Sequence, residues 1–262
     1  MSTTATDTAW YTYGVVSSEQ RDGVPATAAG VDLHVVDAAP LAAVTSRVSL
    51  DEFGEEPLRE HLNDRDWLER HVRLHEDVLL AISTDTPIVP FRFGTISHTR
   101  NHLCALLRGR EDTLLSALER IRGRIEVGVK VWVDEPRLRQ ALVAPGEPAA
   151  SPTGRAYLEA RRAAQRRAAD VEAFSGELAR TVYDSVAAHA VDGVVNRPQP
   201  RELTGRKERM VLNAAFLVDA GSAAIPAELE ALARQLDRFG VTLELTGPWP
   251  AHNFVDGKEG AA

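Results

Sequence analysis

The sequence has a single cysteine, Cys104, among its 262 residues. One cysteine excludes an intrachain disulfide and any metal site built from several cysteines. The sequence also has no apolar run that approaches the ~20 residues needed to cross a bilayer. Its first residues, MSTTATDTAWYTYG, contain neither the basic region nor the apolar region of a secretory signal peptide. We therefore expect the protein in the cytoplasm, away from membranes.

The short motifs of the common enzyme classes are missing as well. The sequence has no P-loop, no dinucleotide-binding fingerprint and no nucleophile elbow. Its formal net charge of −8 at pH 7 argues against nucleic acid as the main partner, because phosphate binding requires a basic surface. These absences favour a protein that is not an enzyme and that needs neither a cofactor nor nucleic acid.

What the sequence does contain is a composition typical of globular proteins, with 44% hydrophobic and 26% charged residues. Its most apolar stretch is MVLNAAFLV, residues Met210–Val218, in which Asn213 is the only polar side chain. A run this short, apolar on nearly both faces, is typical of a central strand. A buried helix is disfavoured because the run ends at Asp219 and Gly221, after less than three helical turns.

The segments around this strand predict a C-terminal domain over residues 123–247. Ile125–Val133 alternates apolar with polar or small residues, which predicts a strand with one covered and one open face. The order β, α, β, β, α, β is the split βαβ arrangement, in which the first and third strands are central. Pro198 and Pro200 remove backbone donors from residues 194–203, so we expect that strand at an edge.

Between these strands the sequence predicts a linker, two helices and a tail. Prolines punctuate a linker over residues 136–152, helices are predicted at 155–191 and 226–239, the last strand at 241–246 and a tail at 248–262. At ~1.5 Å per residue the first of these helices exceeds about 50 Å, more than a small sheet can cover. Either Ser175 and Gly176 break it, or one end projects as an arm.

The N-terminal domain, residues 9–122, has a similar order in which a loop replaces the first helix. A helix capped by Asn63 or Asp64 runs to Ile82. Pro87 and Pro90 predict that the last strand lies at a sheet edge. The strands are predicted at 10–16, 31–36, 41–50 and 88–93, and two short helices at 99–108 and 112–122. We therefore predict an α/β (α+β) protein with two domains, each a ferredoxin-like (βαββαβ-type) sheet with helices on one face, plus extra helices.

Two histidines, His71 and His75, lie one turn apart on the predicted helix, which is the spacing of a two-histidine metal site. The segment lacks the glutamate that follows the first histidine of a zincin motif, and His61 is the only further ligand candidate nearby. We therefore favour structural histidines and expect no bound metal. The alternative is an enzyme that binds a metal or a small molecule with the helix of His71 and His75.

Two segments are candidates for binding a protein partner. Arg162 and Arg166 belong to a basic stretch that forms either a solvated helix face or a docking surface for an acidic partner. In the C-terminal TGPWPAHNFV, prolines restrict the backbone on both sides of Trp249. Trp249 and Phe254 either fold back on the open face of the sheet near Trp132 or bind a partner. The predicted partner-binding residues are Trp132, Arg162, Arg166, Trp249 and Phe254.

Several segments together resemble the GvpF/GvpL family of gas vesicle proteins, over nearly the whole chain. They are YTYGV (11–15), PFRFGT (90–95), EVGVKVWV (126–133), SPTGRAYL (151–158), MVLNAAFLV (210–218) and TGPWPAHNFV (246–255). The tail in this family usually reads PWPPY, and here Ala251 and His252 stand in place of the second proline and the tyrosine.

The resemblance implies a two-domain α/β protein that is a minor component or assembly factor of gas vesicles. It implies binding to the small hydrophobic shell protein GvpA and to other gas vesicle proteins, and a location at the gas vesicle. By binding the shell protein, such a factor limits its aggregation during vesicle nucleation. The role is physically reasonable because a subunit with an apolar face must stay soluble until it joins the growing wall.

Overall fold

The computed structural model describes residues 7–142 and 154–255, and it describes only the backbone of residues 154–164 and 167. The chain forms two compact units. Of the described residues, the first unit contains 7–125 and 249–255, and the second contains 126–142 and 154–248. The polypeptide therefore leaves the first unit and returns to it at its C-terminal end.

Strands of two to ten residues and five α-helices build the described N-terminal part of the first unit. Its strands are β1 (Thr8–Ser17), β2 (Thr27–Ala28), β3 (Val31–Asp32), β4 (His34–Ala38), β5 (Leu41–Ser49), β6 (Val89–Pro90) and β7 (Ile96–Ser97). The helices of this part of the chain are α1 (Leu50–Phe53), α2 (Glu55–His61), α3 (Arg65–Ser83), α4 (Arg100–Arg108) and α5 (Glu111–Ile121).

The main sheet of the first unit has the order β4-β5-β1-β6, and β7 also pairs with β1. The pairs β1–β5, β1–β6, β1–β7 and β4–β5 are all antiparallel. The edge position of β6 agrees with the prediction from Pro87 and Pro90. The strand predicted at 31–36 is divided, because Val31–Asp32 pairs with β2 in a separate two-stranded sheet while β4 joins the main sheet.

Helix α3 covers the main sheet of the first unit. It begins after Asp64, whose carboxylate accepts hydrogen bonds from the backbone N–H groups of Asp66 and Trp67, at 3.0 and 3.2 Å. This N-cap satisfies donors that the first helical turn leaves free. The apolar face of α3 packs into a buried cluster with aromatic and aliphatic side chains of β1 and β5. The cluster includes Tyr11, Tyr13, Val44, Trp67, Val78, Leu79 and Ile82.

In the described part of the second unit there are four strands and four α-helices. They are β8 (Arg124–Val133), α6 (Glu135–Leu142), α7 (Gly154–Ala187), β9 (Asp192–Asn196), α8 (Arg201–Thr204), β10 (Arg209–Asp219), α9 (Ala224–Leu236) and β11 (Val241–Trp249). The sheet order is β11-β8-β10-β9. The apolar strand β10 is therefore central, as its sequence predicts, with Phe216 fully buried. The edge position of β9 is confirmed as well.

The structure corrects several boundaries in the second unit. Strand β9 ends at Asn196, before Pro198 and Pro200, and α8 occupies the end of the predicted strand. The first part of the predicted linker is helix α6, in which Pro136 lies in the first turn, where its missing N–H is not needed. The remainder of that linker lies outside the described residues. Leu138 anchors α6 because its side chain is fully buried.

Helix α7 runs without a break through Ser175 and Gly176. The Ser175 hydroxyl donates to the Val171 carbonyl oxygen at 2.7 Å. The same hydroxyl oxygen accepts a hydrogen bond from the Arg209 guanidinium at 3.1 Å. Because Ser175 satisfies its hydroxyl within the helix and against a neighbouring strand, it does not interrupt the helix. With 34 residues, α7 is about 50 Å long at ~1.5 Å per residue.

The last strand and a short final helix complete the chain. Strand β11 continues three residues beyond its predicted end, to Trp249, and α10 (His252–Val255) follows. Helix α10 packs against α5 and β6 of the first unit. None of the helices in the described parts of the chain has the length and apolar character that a bilayer-spanning helix needs.

Candidate functional site

The C-terminal segment docks on the first unit, and Phe254 and Val255 are its anchors. Phe254 is only 5% exposed, and the neighbouring Ala251 and Val255 are buried as well. The sequence left two outcomes open for this tail, folding back near Trp132 or binding a partner, and the surface that Phe254 and Val255 contact is neither of them. The prediction could not identify the docking surface because α5 and β6 lie more than 100 positions earlier in the chain.

His252 makes a polar contact in this docked segment. Its Nε2–H donates to a carboxylate oxygen of Glu76 on α3 at 2.9 Å. Burial raises the pKa of Glu76, but the hydrogen bond and charge of His252 together with His75 outweigh burial, so the pKa stays below its ordinary value. The contact therefore adds polar specificity to a docking that buried apolar side chains dominate.

A chain of hydrogen bonds through His75 joins two of the motifs that carried the family resemblance. His75 Nε2–H donates to the Phe91 carbonyl oxygen at 3.2 Å, so Nδ1 accepts from the Tyr11 hydroxyl at 2.8 Å. The Tyr11 oxygen accepts from the Gly94 N–H at 3.3 Å. Burial lowers the pKa of His75 and raises the pKa of Tyr11. Both groups are therefore neutral near pH 7.

The structure also shows the surroundings of His71, the first histidine of the predicted pair. Its Nδ1–H donates to the Trp67 carbonyl oxygen at 2.8 Å, and its ring stacks on the Trp67 indole with centroids 3.9 Å apart. The two histidines share one face of α3, as predicted, but both nitrogens of His75 are engaged by protein groups. Within the described part of the chain no three His, Cys, Asp or Glu side chains are grouped to hold a metal ion.

Trp132, predicted to bind a partner, is 3% exposed. Its indole N–H donates to the Glu244 carboxylate at 3.0 Å, and the Arg206 guanidinium covers the ring at 4.4 Å from its centroid. Arg206 also forms an ion pair with Glu244 at 3.4 Å. The predicted open face of β8 is therefore covered at this position by side chains from β11 and from the segment before β10.

The other predicted partner-binding residues have different surroundings. Trp249 remains 44% exposed at the end of β11. Arg166 is exposed on α7, and the side chain of Arg162 lies outside the described residues. Of the five candidates, Trp132 and Phe254 are thus buried, whereas Trp249 and Arg166 reach the surface.

The two edges of the second sheet differ in length and in the side chains that they present. Strand β9 is five residues long and is followed by two prolines, which limit further pairing. Strand β11 is nine residues long. Along its apolar face exposure rises from 9% at Val241 to 41% at Leu245. Edge strands offer backbone N–H and C=O groups for pairing with another strand. Both edges carry an exposed apolar side chain, Leu245 on β11 and Val195 on β9, so β11 is distinguished by its longer edge.

Known proteins that match this chain are gas vesicle proteins. The family model described as gas vesicle synthesis protein GvpL/GvpF matches residues 9–256. Gas vesicle protein L of Streptomyces sp. (strain CB03234) is 35% identical over 255 residues, covering 96% of this chain and 94% of that protein. Gas vesicle protein F1 of Halobacterium salinarum is 25% identical, covering 94% of this chain and 92% of that protein.

Two crystal structures share the fold. The gas vesicle protein GvpF from Anabaena sp. PCC7120 has a TM-score of 0.71 at 16% identity, covering 96% of this chain and 98% of that one. GvpF from Microcystis aeruginosa has a TM-score of 0.66 at 18% identity, covering 95% and 99%. Both agree with a mixed α/β fold of antiparallel sheets and helices. The family and relatives are described as gas vesicle proteins and not as enzymes. The chain is therefore a member of the GvpL/GvpF family of gas vesicle proteins.

Proposed function

We propose that this protein is an assembly factor or minor component of gas vesicles that binds the hydrophobic shell protein GvpA and limits its aggregation during nucleation. It acts in the cytoplasm, at the growing vesicle. Membership of the GvpL/GvpF family supports a role in gas vesicle formation. Beyond that role, we propose that the partner is the shell protein and that binding limits its aggregation.

The observation that carries this proposal is the edge strand β11 with its exposed Leu245. A partner strand that pairs with β11 gains backbone hydrogen bonds, and its alternate side chains contact the apolar face of the edge. Leu245 is 41% exposed, so it is available for apolar contact with the side chains of the partner strand. Such pairing covers apolar surface of the shell subunit that otherwise drives self-association.

Trp249, Arg166 and Arg162 remain proposed contacts for gas vesicle partners. Trp249 is an aromatic side chain at the surface, a type enriched in protein interfaces. Arg166 is exposed and suits an acidic surface on a partner. Trp132 and Phe254 are reassigned to stabilising the protein itself because both side chains are buried.

Co-purification of the shell protein with edge variants tests the proposal. Leu245→Glu places a carboxylate on the exposed face of β11, and burying that charge against an apolar partner is costly. Val195→Glu is the matched control, because Val195 is 59% exposed on the opposite edge strand β9. We expect Leu245→Glu to weaken shell-protein capture at least tenfold and to increase light scattering from the shell protein, with capture by Val195→Glu unchanged.

Three results count against the proposal. Loss of capture by Val195→Glu alone assigns binding to β9 instead of β11. Equal capture by both variants and the unaltered protein removes both edges from the binding surface. If light scattering from the shell protein is the same with and without a stoichiometric amount of this protein, the role in limiting aggregation is contradicted. Melting curves on both variants verify that the fold is intact.

The ferredoxin-like arrangement of the two sheets is likewise a proposal. It is supported by the orders β4-β5-β1-β6 and β11-β8-β10-β9. In each, the first and third major strands of the unit are central, and the second and fourth are at the edges, as in the split βαβ arrangement. In the first unit a 3₁₀ helix, Ser18–Gly23, and the β2–β3 pair connect the first two major strands, where that arrangement has an α-helix.

A further inference from the structure

A cavity of about 190 Å³ lies in the first unit between α3 and the main sheet. Aromatic rings form much of its wall, contributed by Tyr11, Tyr13 and Phe53. Val31, Val48 and Leu74 line it as well, and all three are partly exposed. The lining is therefore mostly apolar, with Ser46, Arg47, His71 and His75 as its other members, and it is bordered by residues that reach the surface. For scale, an apolar cavity of about 150 Å³ engineered into another protein binds benzene.

The lining of this cavity includes a pair of buried hydroxyl groups. The Tyr13 hydroxyl and the Ser46 hydroxyl are 3.2 Å apart, and either can be the donor. Both residues line the cavity, and both are more than nine-tenths buried. Each hydroxyl has one hydrogen to donate, and one hydrogen bond between them uses only one of the two. The pair consequently retains one donor for a group inside the cavity.

Charged ligands are disfavoured in this cavity. Burial raises the pKa values of Tyr11 and Tyr13 and lowers that of His75, so the lining favours the neutral form of each group. Arg47 also borders the cavity. However, its guanidinium lies over the Trp10 ring at 4.4 Å and donates to the hydroxyl of Thr8. These two contacts hold the guanidinium group against Trp10 and Thr8.

We propose that this cavity binds an uncharged small molecule, the size of a substituted benzene, that carries an acceptor oxygen. The apolar part of the ligand occupies the aromatic walls, and its oxygen accepts a hydrogen bond from the Tyr13–Ser46 hydroxyl pair. Small-molecule sites commonly combine apolar walls with a few such polar groups. The inference does not depend on binding of the shell protein, because none of the cavity residues belongs to β11 or to the second unit.

Fluorine NMR with three related probes tests the proposal on the full-length protein. The probe 4-fluoroacetophenone carries a carbonyl acceptor, 4-fluorocumene has a similar shape without it, and 4-fluorobenzoate is charged. We expect the acetophenone to bind about fivefold more tightly than the cumene, as one hydrogen bond provides, and the benzoate not to bind. The double variant Tyr13→Phe/Ser46→Ala removes both hydroxyls and should reduce the preference for the acetophenone to none.

A variant that fills the cavity locates the binding site. Val48→Phe places a ring in the cavity and should abolish binding of both neutral probes while leaving the melting temperature at or above that of the unaltered protein. Val35→Phe is the matched control, because Val35 is an exposed residue on β4 that does not line the cavity. Absence of probe binding to the unaltered protein overturns the proposal. Binding retained by Val48→Phe, or benzoate binding equal to that of the acetophenone, also overturns it.

Discussion

His75 lies in the middle of a hydrogen-bond chain that holds three segments of the first unit together. Its ring connects Tyr11 on β1 with the Phe91 carbonyl group, and it stacks on the Tyr13 ring with centroids 5.5 Å apart. A neutral imidazole suits this position because one nitrogen accepts and the other donates. Protonation adds a charge to a side chain that is 2% exposed, and it removes the acceptor that Tyr11 uses.

The lowered pKa of His75 predicts a pH dependence of stability. Burial is the main cause of the lowered pKa and His252 adds to it, whereas Glu76 and the Phe91 hydrogen bond oppose it. Below the ordinary value of 6.5 the unfolded chain binds a proton that the folded protein does not. We therefore expect the free energy of unfolding to fall as pH decreases below that value, by at most about 1.4 kcal/mol per pH unit. Above that value His75 is neutral in both states, so its contribution to the free energy of unfolding does not change with pH.

Urea unfolding curves between about pH 5 and pH 8 measure this dependence. His75→Gln should have a shallower decrease at acidic pH than the unaltered protein, whatever its stability at pH 8. His98→Gln is the control for the substitution itself, because it replaces an exposed histidine of the same unit. Equal slopes for the unaltered protein and for His75→Gln contradict the assignment of this proton to His75.

For individual residues, sequence patterns predicted the face of the helix or strand on which a side chain lies, but not the groups that contact it. The helical spacing of His71 and His75 placed both on one face of α3. Their environment was not predictable, because the Tyr11 hydroxyl that contacts His75 is 64 positions away in sequence. Alternation likewise placed Trp132 on the open face of β8. Its cover includes Glu244, 112 positions away, and no local pattern reports such a distant contact.

Among the elements, proline positions and apolar runs predicted the sheet order of the second unit. Pro198 and Pro200 placed β9 at an edge, and the two-sided apolar character of Met210–Val218 placed β10 in the centre. Helices α6 and α8 were not predicted. Pro136 and Pro200 read as signs of irregular structure, yet a proline is tolerated in the first turn of a helix and at its N-cap.

Gly14, the glycine of the YTYGV motif, allows β1 and β6 to approach closely. A Cβ atom at this position lies 2.6 Å from the Val89 carbonyl oxygen and 2.8 Å from an Ile88 side-chain carbon. The register of the β1–β5 pair also shifts between Thr12 and Gly14. The motif thus requires glycine for space, since any side chain here must displace the backbone of the neighbouring segment.

Gly14→Ala should lower the free energy of unfolding by about 1–3 kcal/mol, the usual cost of inserting an atom into a packed site. Gly176→Ala is a control of opposite sign, because no atom lies within 4 Å of its Cβ position and alanine is favoured in a helix interior. Thermal unfolding of both variants checks the pair. A stability of Gly14→Ala equal to that of the unaltered protein shows that the β1–β6 contact adapts without cost.

For the molecule as a whole, the C-terminal segment determines how the chain is divided. Residues from Trp249 onward belong with the first unit, although the strand that precedes them belongs to the second. The sequence predicted a separate tail and could not determine which surface it contacts. Flanking prolines made Trp249 a candidate for docking alongside Phe254, whereas the buried residues of the docked segment include Phe254 and Val255 and Trp249 stays 44% exposed. Rigidity of the backbone around an aromatic side chain did not predict its burial.

Phe254→Ala should destabilise the protein by about 3–5 kcal/mol, because the ring is buried and its loss leaves a cavity. Trp249→Ala should cost less than half of that, since 44% of Trp249 is exposed. Thermal melts compare the two variants, and native-state hydrogen exchange locates the effect. In Phe254→Ala, amides of α5 should lose protection because α10 packs on that helix, while amides of the central strand β10 keep theirs. Loss of protection in β10 equal to that in α5 contradicts the assignment of the tail to the first unit. If Trp249→Ala costs more stability than Phe254→Ala, then Trp249 and not Phe254 is the main anchor of the tail.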